Sequence, residues 1–140
     1  MNYFIFTAPL AAIFRIENDE ELANKGFLYY YDNMNQAVTD QIAILKDIIL
    51  ETIPVEQIYL FGSYASGIPS DDSDLDMYVI MKDDTAMLEI EAEKKIALAC
   101  IGRKTMSTDI LVSKKSRFEY RLTAPTLERE VATKGMIIYG

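Results

Sequence analysis

Apolar positions along most of the chain switch between helical spacing and short continuous runs. From Asn35 to Thr52 they recur every three or four residues, which predicts an amphipathic helix that ends before Pro54. Short apolar runs bounded by Gly, Pro or Asp predict buried strands. The predicted strands are Gln57–Phe61, Leu75–Met81, Thr108–Val112 and Met136–Tyr139.

Helical patterns separate these strands. Asp83–Ile101 is predicted to be a long helix, with Asp83 or Asp84 as its N-cap. A later helix is predicted to begin at a capping box formed by Ser116 and Glu119. The resulting order, α-β-α-β-α-β-α-β, indicates an α/β (α+β) chain.

The first 33 residues follow neither pattern clearly. They combine an apolar start, an acidic patch and a cluster of three tyrosines, Tyr29–Tyr31. We interpret residues 1–33 as an N-terminal extension of uncertain order and residues 34–140 as the working domain. Two readings of the extension stay open: a helical segment that packs on the domain or on a partner, and an upstream reading before a domain that starts near Met34.

Length and charge narrow the class of protein. A chain of 140 residues fits one domain with one core. Its net charge of −8 argues against direct binding of long nucleic acid, because the phosphate backbone would be repelled. That charge is compatible with a nucleotide whose phosphates are neutralised by a metal, and with a basic protein partner.

The residue types that are scarce also exclude chemistry. The chain has no histidine, which removes imidazole acid–base catalysis and His-ligated metals. Its one cysteine, Cys100, lies in an apolar helical run and is predicted to be a buried hydrophobe. With no disulfide framework, no apolar run near 20 residues and no basic leader, we expect a cytoplasmic protein without a membrane span.

Two acidic residues stand where a buried strand should begin. Asp74 and Asp76 are two positions apart, so in a strand they share one face at about 6.6 Å, while Leu75 and Met77 point to the core. Like charges at this spacing favour a hard divalent cation such as Mg²⁺ between them. Asp71 and Asp72 are read as solvated turn residues, but Asp is depleted inside strands, so Asp76 calls for another reason.

Asp109 opens a later apolar strand in the same way. If that strand neighbours the first, three carboxylates meet, and such a set can hold two metals about 4 Å apart for phosphoryl-type displacement. Taken alone, Asp109 could equally be a strand-end cap. Gly62 and Ser63 follow another strand and are candidates for close backbone approach and phosphate binding.

These residues together resemble a known family. Gly62-Ser63, ten intervening residues and Asp74-Leu75-Asp76 are similar to the signature of the DNA polymerase beta-like nucleotidyltransferase superfamily, at the spacing of its minimal members (MNT). Asp109 stands where the family's third carboxylate would be. The resemblance extends over Asn35–Gly140 and includes a closing helix and strand.

The resemblance implies a fold, an activity and site roles. The fold would be a small mixed β-sheet with helices packed mainly on one face. A hydroxyl would attack the α-phosphorus of a nucleoside triphosphate, such as ATP, and release pyrophosphate. Asp74 and Asp76 would bind two Mg²⁺ ions, Asp109 would complete the metal site and help activate the hydroxyl, and Gly62 with Ser63 would hold the triphosphate.

The chain also departs from its relatives. Many carry arginine at the positions here filled by Tyr64 and Ser66, so less positive charge would face the phosphates in this chain. A basic group later in the chain would either compensate or be a solvated turn, and both readings stay open. That group consists of Lys104, Lys114, Lys115 and Arg117.

Small stand-alone members are similar to the antitoxin half of HEPN/MNT toxin–antitoxin pairs. The resemblance therefore implies a HEPN ribonuclease partner, with AMP transferred to a tyrosine of that partner. The alternative is an antitoxin that neutralises by contact, with weak or absent catalysis. Self-association, the acceptor and the base preference are left open by the sequence.

Overall fold

A computed structural model describes residues 35–140, and the interpretation of residues 1–33 lies outside this range. Helices and strands alternate along the described residues, with one extra helix before the last strand. The elements are α1 Gln36–Thr52, β1 Val55–Phe61, α2 Ser63–Ser66, β2 Leu75–Met81, α3 Glu89–Ala99, β3 Thr108–Lys114, α4 Lys115–Arg121, α5 Leu127–Lys134 and β4 Met136–Tyr139.

Four strands form one mixed sheet in the order β3-β2-β1-β4. β1 is antiparallel to both β2 and β4, whereas β2 and β3 are parallel. The last residues of β1 therefore lie beside the first residues of β2 and β3, and we call this end of the strands a sheet edge. The predicted small mixed sheet is confirmed, and this topology decides which loops can meet.

Helices cover the two faces of the sheet unequally. One face packs against α1 and α3 through a cluster of twenty buried side chains, which includes Cys100. Within residues 35–140, the other face is covered by α4 and α5 through five buried side chains, among them Tyr59, Tyr78 and Phe118. The first face carries the main core, in agreement with helices packed mainly on one side.

The predicted start of the long helix after β2 is wrong. α3 begins at Glu89 rather than Asp83, and the Glu91 carboxylate accepts from the backbone N–H of Leu88 at 2.9 Å. Asp83 instead accepts from both the N–H and the hydroxyl of Ser116, at 3.1 and 2.8 Å. Asp83 thus accepts from a backbone N–H in the first turn of α4, 33 residues later in the sequence.

The predicted capping box of Ser116 and Glu119 does not form for the same reason. Lys114 is the N-cap residue of α4 and makes no side-chain cap bond, while the Ser116 hydroxyl is directed to Asp83. These contacts lower the pKa of the Asp83 carboxyl, since the backbone N–H and the hydroxyl of Ser116 favour the ionised form. Local sequence predicts that Ser116 caps the helix, but the tertiary fold brings Asp83 close enough to bind its hydroxyl instead.

The outer edge of β3 is protected by two carboxylates from α3. Glu93 accepts from the N–H of Val112 at 3.2 Å, and Glu89 accepts from the N–H of Lys114 at 2.8 Å. An edge strand with open N–H groups would invite pairing with another chain. These two hydrogen bonds also hold α3 beside β3, the outermost strand, which pairs in parallel with β2.

A buried polar group ties α5 to the sheet on its second face. The Tyr78 hydroxyl donates to Glu128 Oε1 at 2.9 Å, and Arg121 Nε lies 2.8 Å from Glu128 Oε2, an ion pair whose N–H direction is not that of a hydrogen bond. Burial raises the pKa of Tyr78 well above its usual range. Burial opposes ionisation of Glu128, yet Arg121 and Tyr78 together keep the pKa of that carboxyl below its ordinary value.

Glu128→Gln is expected to destabilise the fold in a pH-dependent way. The carboxylate has a lowered pKa in the folded state, so its contribution is full above the unfolded value and is lost as pH falls through the folded value. We expect a loss of about 1–3 kcal/mol at neutral pH, since the buried Tyr78 hydroxyl would lose an ionised acceptor and the partly exposed Arg121 would lose its ion pair. Urea unfolding of both proteins at neutral pH and at about pH 3 measures this.

Glu119→Gln, an exposed change on α4, is the matched control and should have no effect at either pH. An equal loss for Glu128→Gln at both pH values would contradict the role given to its charge.

None of the helices within residues 35–140 has the length and apolar character needed to cross a bilayer.

Candidate active site

The parallel register of β2 and β3 brings two of the predicted acids together. Asp76 lies directly opposite Asp109 in this register, on neighbouring strands that are about 4.8 Å apart. Both are on the sheet face away from the main core, because Leu75 and Met77 on either side of Asp76 are buried in that core and Ile110, next to Asp109, packs against it. The predicted meeting of the two strands is therefore present in the backbone.

Asp74 completes the row of acids just before β2 begins. The N–H of Leu75 donates to Ser107 O at 3.0 Å, which joins the beginning of β2 to the residue before β3. Preceding it, the Ser73 hydroxyl accepts from the N–H of Ser70 at 2.7 Å and orders the turn. Asp74 is exposed on this turn, two positions from Asp76.

The electrostatics of Asp76 show unbalanced negative charge. Burial raises the pKa of the Asp76 carboxyl, and the nearby carboxylates of Asp109 and Asp74 raise it further. No lysine or arginine within residues 35–140 forms an ion pair with any of the three acids. A bound cation would relieve both the burial and the repulsion.

The donor chemistry fits Mg²⁺, but the side chains are not yet gathered around one point. Carboxylate oxygens are the ligands that hard cations choose. As the side chains stand, no group of three or more acidic or thiol side chains in the described part of the chain could hold a metal ion. Asp74 and Asp109 are exposed, so their side chains have room to change rotamer.

Gly62 lies against Asp76 in a way that only glycine allows. A Cβ at this position would overlap Oδ2 of Asp76, which faces the end of β1 across the Phe61–Asp76 pair. Its backbone, at φ 72° and ψ −152°, is in a region that other residues avoid. Gly62 therefore both turns the chain out of β1 and leaves room for the Asp76 carboxylate.

Ser63 is placed beside this turn at the first position of the short helix α2. The carbonyl of Ser63 accepts from the Ser66 hydroxyl at 2.8 Å and from the N–H of Ile68 at 3.2 Å. Its own side chain is partly exposed. The structure thus brings Gly62 and Ser63 to the same end of the sheet as Asp74, Asp76 and Asp109. We call this end of the sheet the acidic edge.

Most of the basic group later in the chain lies elsewhere. Lys114 is five residues beyond Asp109, about 17 Å along β3. Its amino group donates to Thr85 O, Lys115 pairs with Glu56, and Arg117 pairs with Glu89. These three side chains do not compensate for missing arginines at the acidic edge.

A cleft of about 530 Å³ opens next to Gly62, between the end of β1 and helix α5. Lys134, which lines the cleft from helix α5, is not among the site residues that the sequence predicts. The available signal was a helical spacing of three and four, which puts residues 127, 130 and 134 on one face. The lining residues are Phe61, Gly62, Ser66, Leu127, Glu130, Lys134 and Gly135.

Aligned carboxylates beside a Gly-Ser turn define a class of site suited to metal-assisted transfer of phosphorus groups. The family model described as "Polymerase beta, Nucleotidyltransferase" matches residues 43–140. The chain belongs to this family, as a minimal nucleotidyltransferase of the DNA polymerase beta-like superfamily.

The fold was also compared with solved structures, and the sequence with curated proteins. A solved structure of a protein from Sulfolobus solfataricus, described as a putative nucleotidyltransferase, is 22% identical over 61% of this chain and 80% of that chain, with a TM-score of 0.43. The search of curated proteins found no match.

Proposed function

We propose that this nucleotidyltransferase domain is a Mg²⁺-dependent enzyme that transfers AMP from ATP to a hydroxyl group. The observation that supports this most is the placement of Asp76 directly opposite Asp109. Gly62, which has no side chain, leaves the space that the Asp76 carboxylate occupies. Family membership supports the reaction class, and the raised pKa of Asp76 supports a cation at this edge.

Each residue has a separate task in the proposed reaction. Asp74 and Asp76 would hold Mg²⁺, with Asp109 completing the ligand set, and the metal would neutralise phosphate charge and polarise the α-phosphorus. The backbone at Gly62 and Ser63 would position the triphosphate. The acceptor oxygen forms a bond to the α-phosphorus, the bond from that phosphorus to the bridging oxygen of the β-phosphate breaks, and pyrophosphate leaves. Asp109 would accept the proton of the attacking hydroxyl.

We further propose that the acceptor is a tyrosine of a HEPN-type ribonuclease. The net charge of −8 supports a basic partner, because an acidic protein is attracted to a surface that binds RNA. Small stand-alone members of the family resemble the antitoxins of HEPN/MNT pairs, and this resemblance is the reason for proposing such a partner.

A second function is favoured by one observation of the structure. The three acids are aligned but not gathered around a metal position within the described residues, and no basic side chain there pairs with them. An antitoxin that acts by contact would need the surface of this fold but not an assembled site. The catalytic function remains our first proposal because all three acids lie at one sheet edge.

The proposed nucleotide site is tested by calorimetry. We expect ATP to bind the natural protein in the presence of Mg²⁺ and to bind at least tenfold more weakly in EDTA, since the carboxylates would then repel the phosphates. GTP and CTP titrations report the base preference. Equal affinity with and without Mg²⁺, or no binding by the folded protein, would contradict the proposal and favour the contact function.

A further inference from the structure

The cleft beside Gly62 has one wall that the site described above does not use. Helix α5 presents Leu127, Glu130 and Lys134 along one face, and this face looks across the cleft toward Phe61 and Gly62. Gly62 is shared between the cleft and the acidic edge, because the Asp76 carboxylate lies against its α-carbon. A ligand bound at the acids and continuing past Gly62 would enter this cleft.

Lys134 is the one basic side chain among the described residues that line the cleft. Its amino group lies 3.2 Å from Glu130 Oε1, one helical turn away, and both side chains are more than half exposed, at 64% and 60%. Ion pairs of this exposed kind contribute little, so Glu130 is a partner that Lys134 can exchange for a stronger one. A phosphate group is such a partner, because it carries more charge and several acceptor oxygens.

The charge balance of the site favours a cation beside it. ATP brings about four negative charges to an edge that already holds Asp74, Asp76 and Asp109, and bound Mg²⁺ balances only part of this total. Ser66, which also lines the cleft, offers a hydroxyl but no charge. Lys114, Lys115 and Arg117 are engaged at the other end of β3.

We propose that Lys134 binds the β- and γ-phosphates of the nucleotide, and that Glu130 holds the lysine in the cleft until the nucleotide arrives. The inference rests on the proposed function and adds a phosphate-binding residue to it. On transfer, the pyrophosphate leaves with the negative charge that Lys134 neutralises. Glu130 opposes binding twice, since it repels phosphate and competes for the lysine.

A purely structural role for Lys134 makes a different prediction. A lysine in the last turn of a helix, paired with a glutamate four residues earlier, stabilises the helix without any ligand. Its loss would then lower the melting temperature slightly and leave nucleotide affinity unchanged. The two roles separate in a binding experiment.

The test compares four full-length variants by calorimetry with Mg²⁺, using ATP and AMP as the two ligands. Lys134→Met should weaken ATP binding about tenfold and change AMP binding less than twofold, because AMP lacks the outer phosphates. Lys134→Arg should bind ATP within about threefold of the natural protein. Glu130→Gln should bind ATP about threefold more tightly, because the lysine is released and one repelling charge is removed.

Lys95→Met is the matched control, since it removes the same charge from an exposed position on α3. It should leave ATP affinity within twofold. ATP affinity that is unchanged in Lys134→Met, or lowered equally for ATP and AMP, overturns the proposal for Lys134 even where Mg²⁺-dependent binding stands. If the natural protein binds no Mg²⁺–ATP, the proposed function fails and the proposal for Lys134 fails with it.

Discussion

Asp76→Asn is expected to reduce nucleotidyl transfer by about 10³-fold while the protein stays folded. The metal site would lose its most central carboxylate, and a loss of several kcal/mol of transition-state stabilisation corresponds to a factor of this size. Pyrophosphate release with Mg²⁺–ATP and the candidate partner measures the effect. The Asn side chain has nearly the same shape, so packing against Gly62 is retained.

The same substitution is expected to raise the melting temperature when no metal is present. The folded-state pKa of Asp76 is above its unfolded value, so its ionised form destabilises the fold once pH rises past the unfolded value. A neutral amide removes this cost at neutral pH, and the advantage should vanish as pH falls below the ordinary Asp range. Mg²⁺ should stabilise the natural protein and leave Asp76→Asn unchanged.

Asp72→Asn is the control, because it removes an equal charge from the exposed turn before the site. It should keep transfer within about twofold and show no metal-dependent change. Transfer that survives in Asp76→Asn would exclude the acidic edge as the catalytic site. A lower melting temperature for Asp76→Asn without metal would contradict the charge argument.

Asp76→Asn also separates the two proposed functions. In a neutralisation assay with the ribonuclease partner, an antitoxin that works by AMP transfer should lose its effect with this substitution. An antitoxin that works by contact should keep it, since the surface of the domain is unchanged.

Gly62→Ala is expected to weaken Mg²⁺-dependent ATP binding at least tenfold. The new Cβ would occupy the space of Asp76 Oδ2, so the carboxylate must rotate away from the sheet edge. The backbone region at Gly62 adds a cost of about 1–3 kcal/mol to folding. Calorimetry for binding and urea unfolding for stability report the two effects separately.

Gly102→Ala provides a control with a similar backbone cost and no clash. Gly102 also has a positive φ, of 75°, but a Cβ there would meet nothing within 4 Å. We expect some loss of stability and unchanged ATP affinity for this variant. If both variants bind ATP normally, Gly62 does not control the position of Asp76; if both lose binding, general destabilisation explains the result.

Local spacing in the sequence was enough to predict several elements and the side-chain alternation of the central strand. β2 has the predicted bounds, Leu75–Met81, and Leu75 and Met77 are buried in the main core while Asp76 points to the other face. The predicted helix over Asn35–Thr52 is present as α1, with Asn35 as its cap. These features depend on a period of two or of three to four residues, which neighbouring positions carry by themselves.

Caps and charge partners could not be predicted in the same way. Local sequence favours Asp83 as the cap of the helix that follows it, but its carboxylate accepts from Ser116, 33 residues away. The basic residues after Asp109 were candidates for the site, but Lys115 pairs with Glu56 and Arg117 with Glu89. A polar side chain can choose among all groups that the fold brings within reach, and local sequence does not state that choice.

The sequence by itself determined the strand and helix pattern, the family and the acids at the beginnings of two strands. Only the tertiary structure decided that β2 and β3 are parallel neighbours in a register that sets Asp76 against Asp109. It also decided that Gly62 leaves room for that carboxylate and that Lys134 reaches the same cleft from the far end of the chain. The physical reason is that periodicity is a local property, whereas register and close approach depend on how distant segments pack.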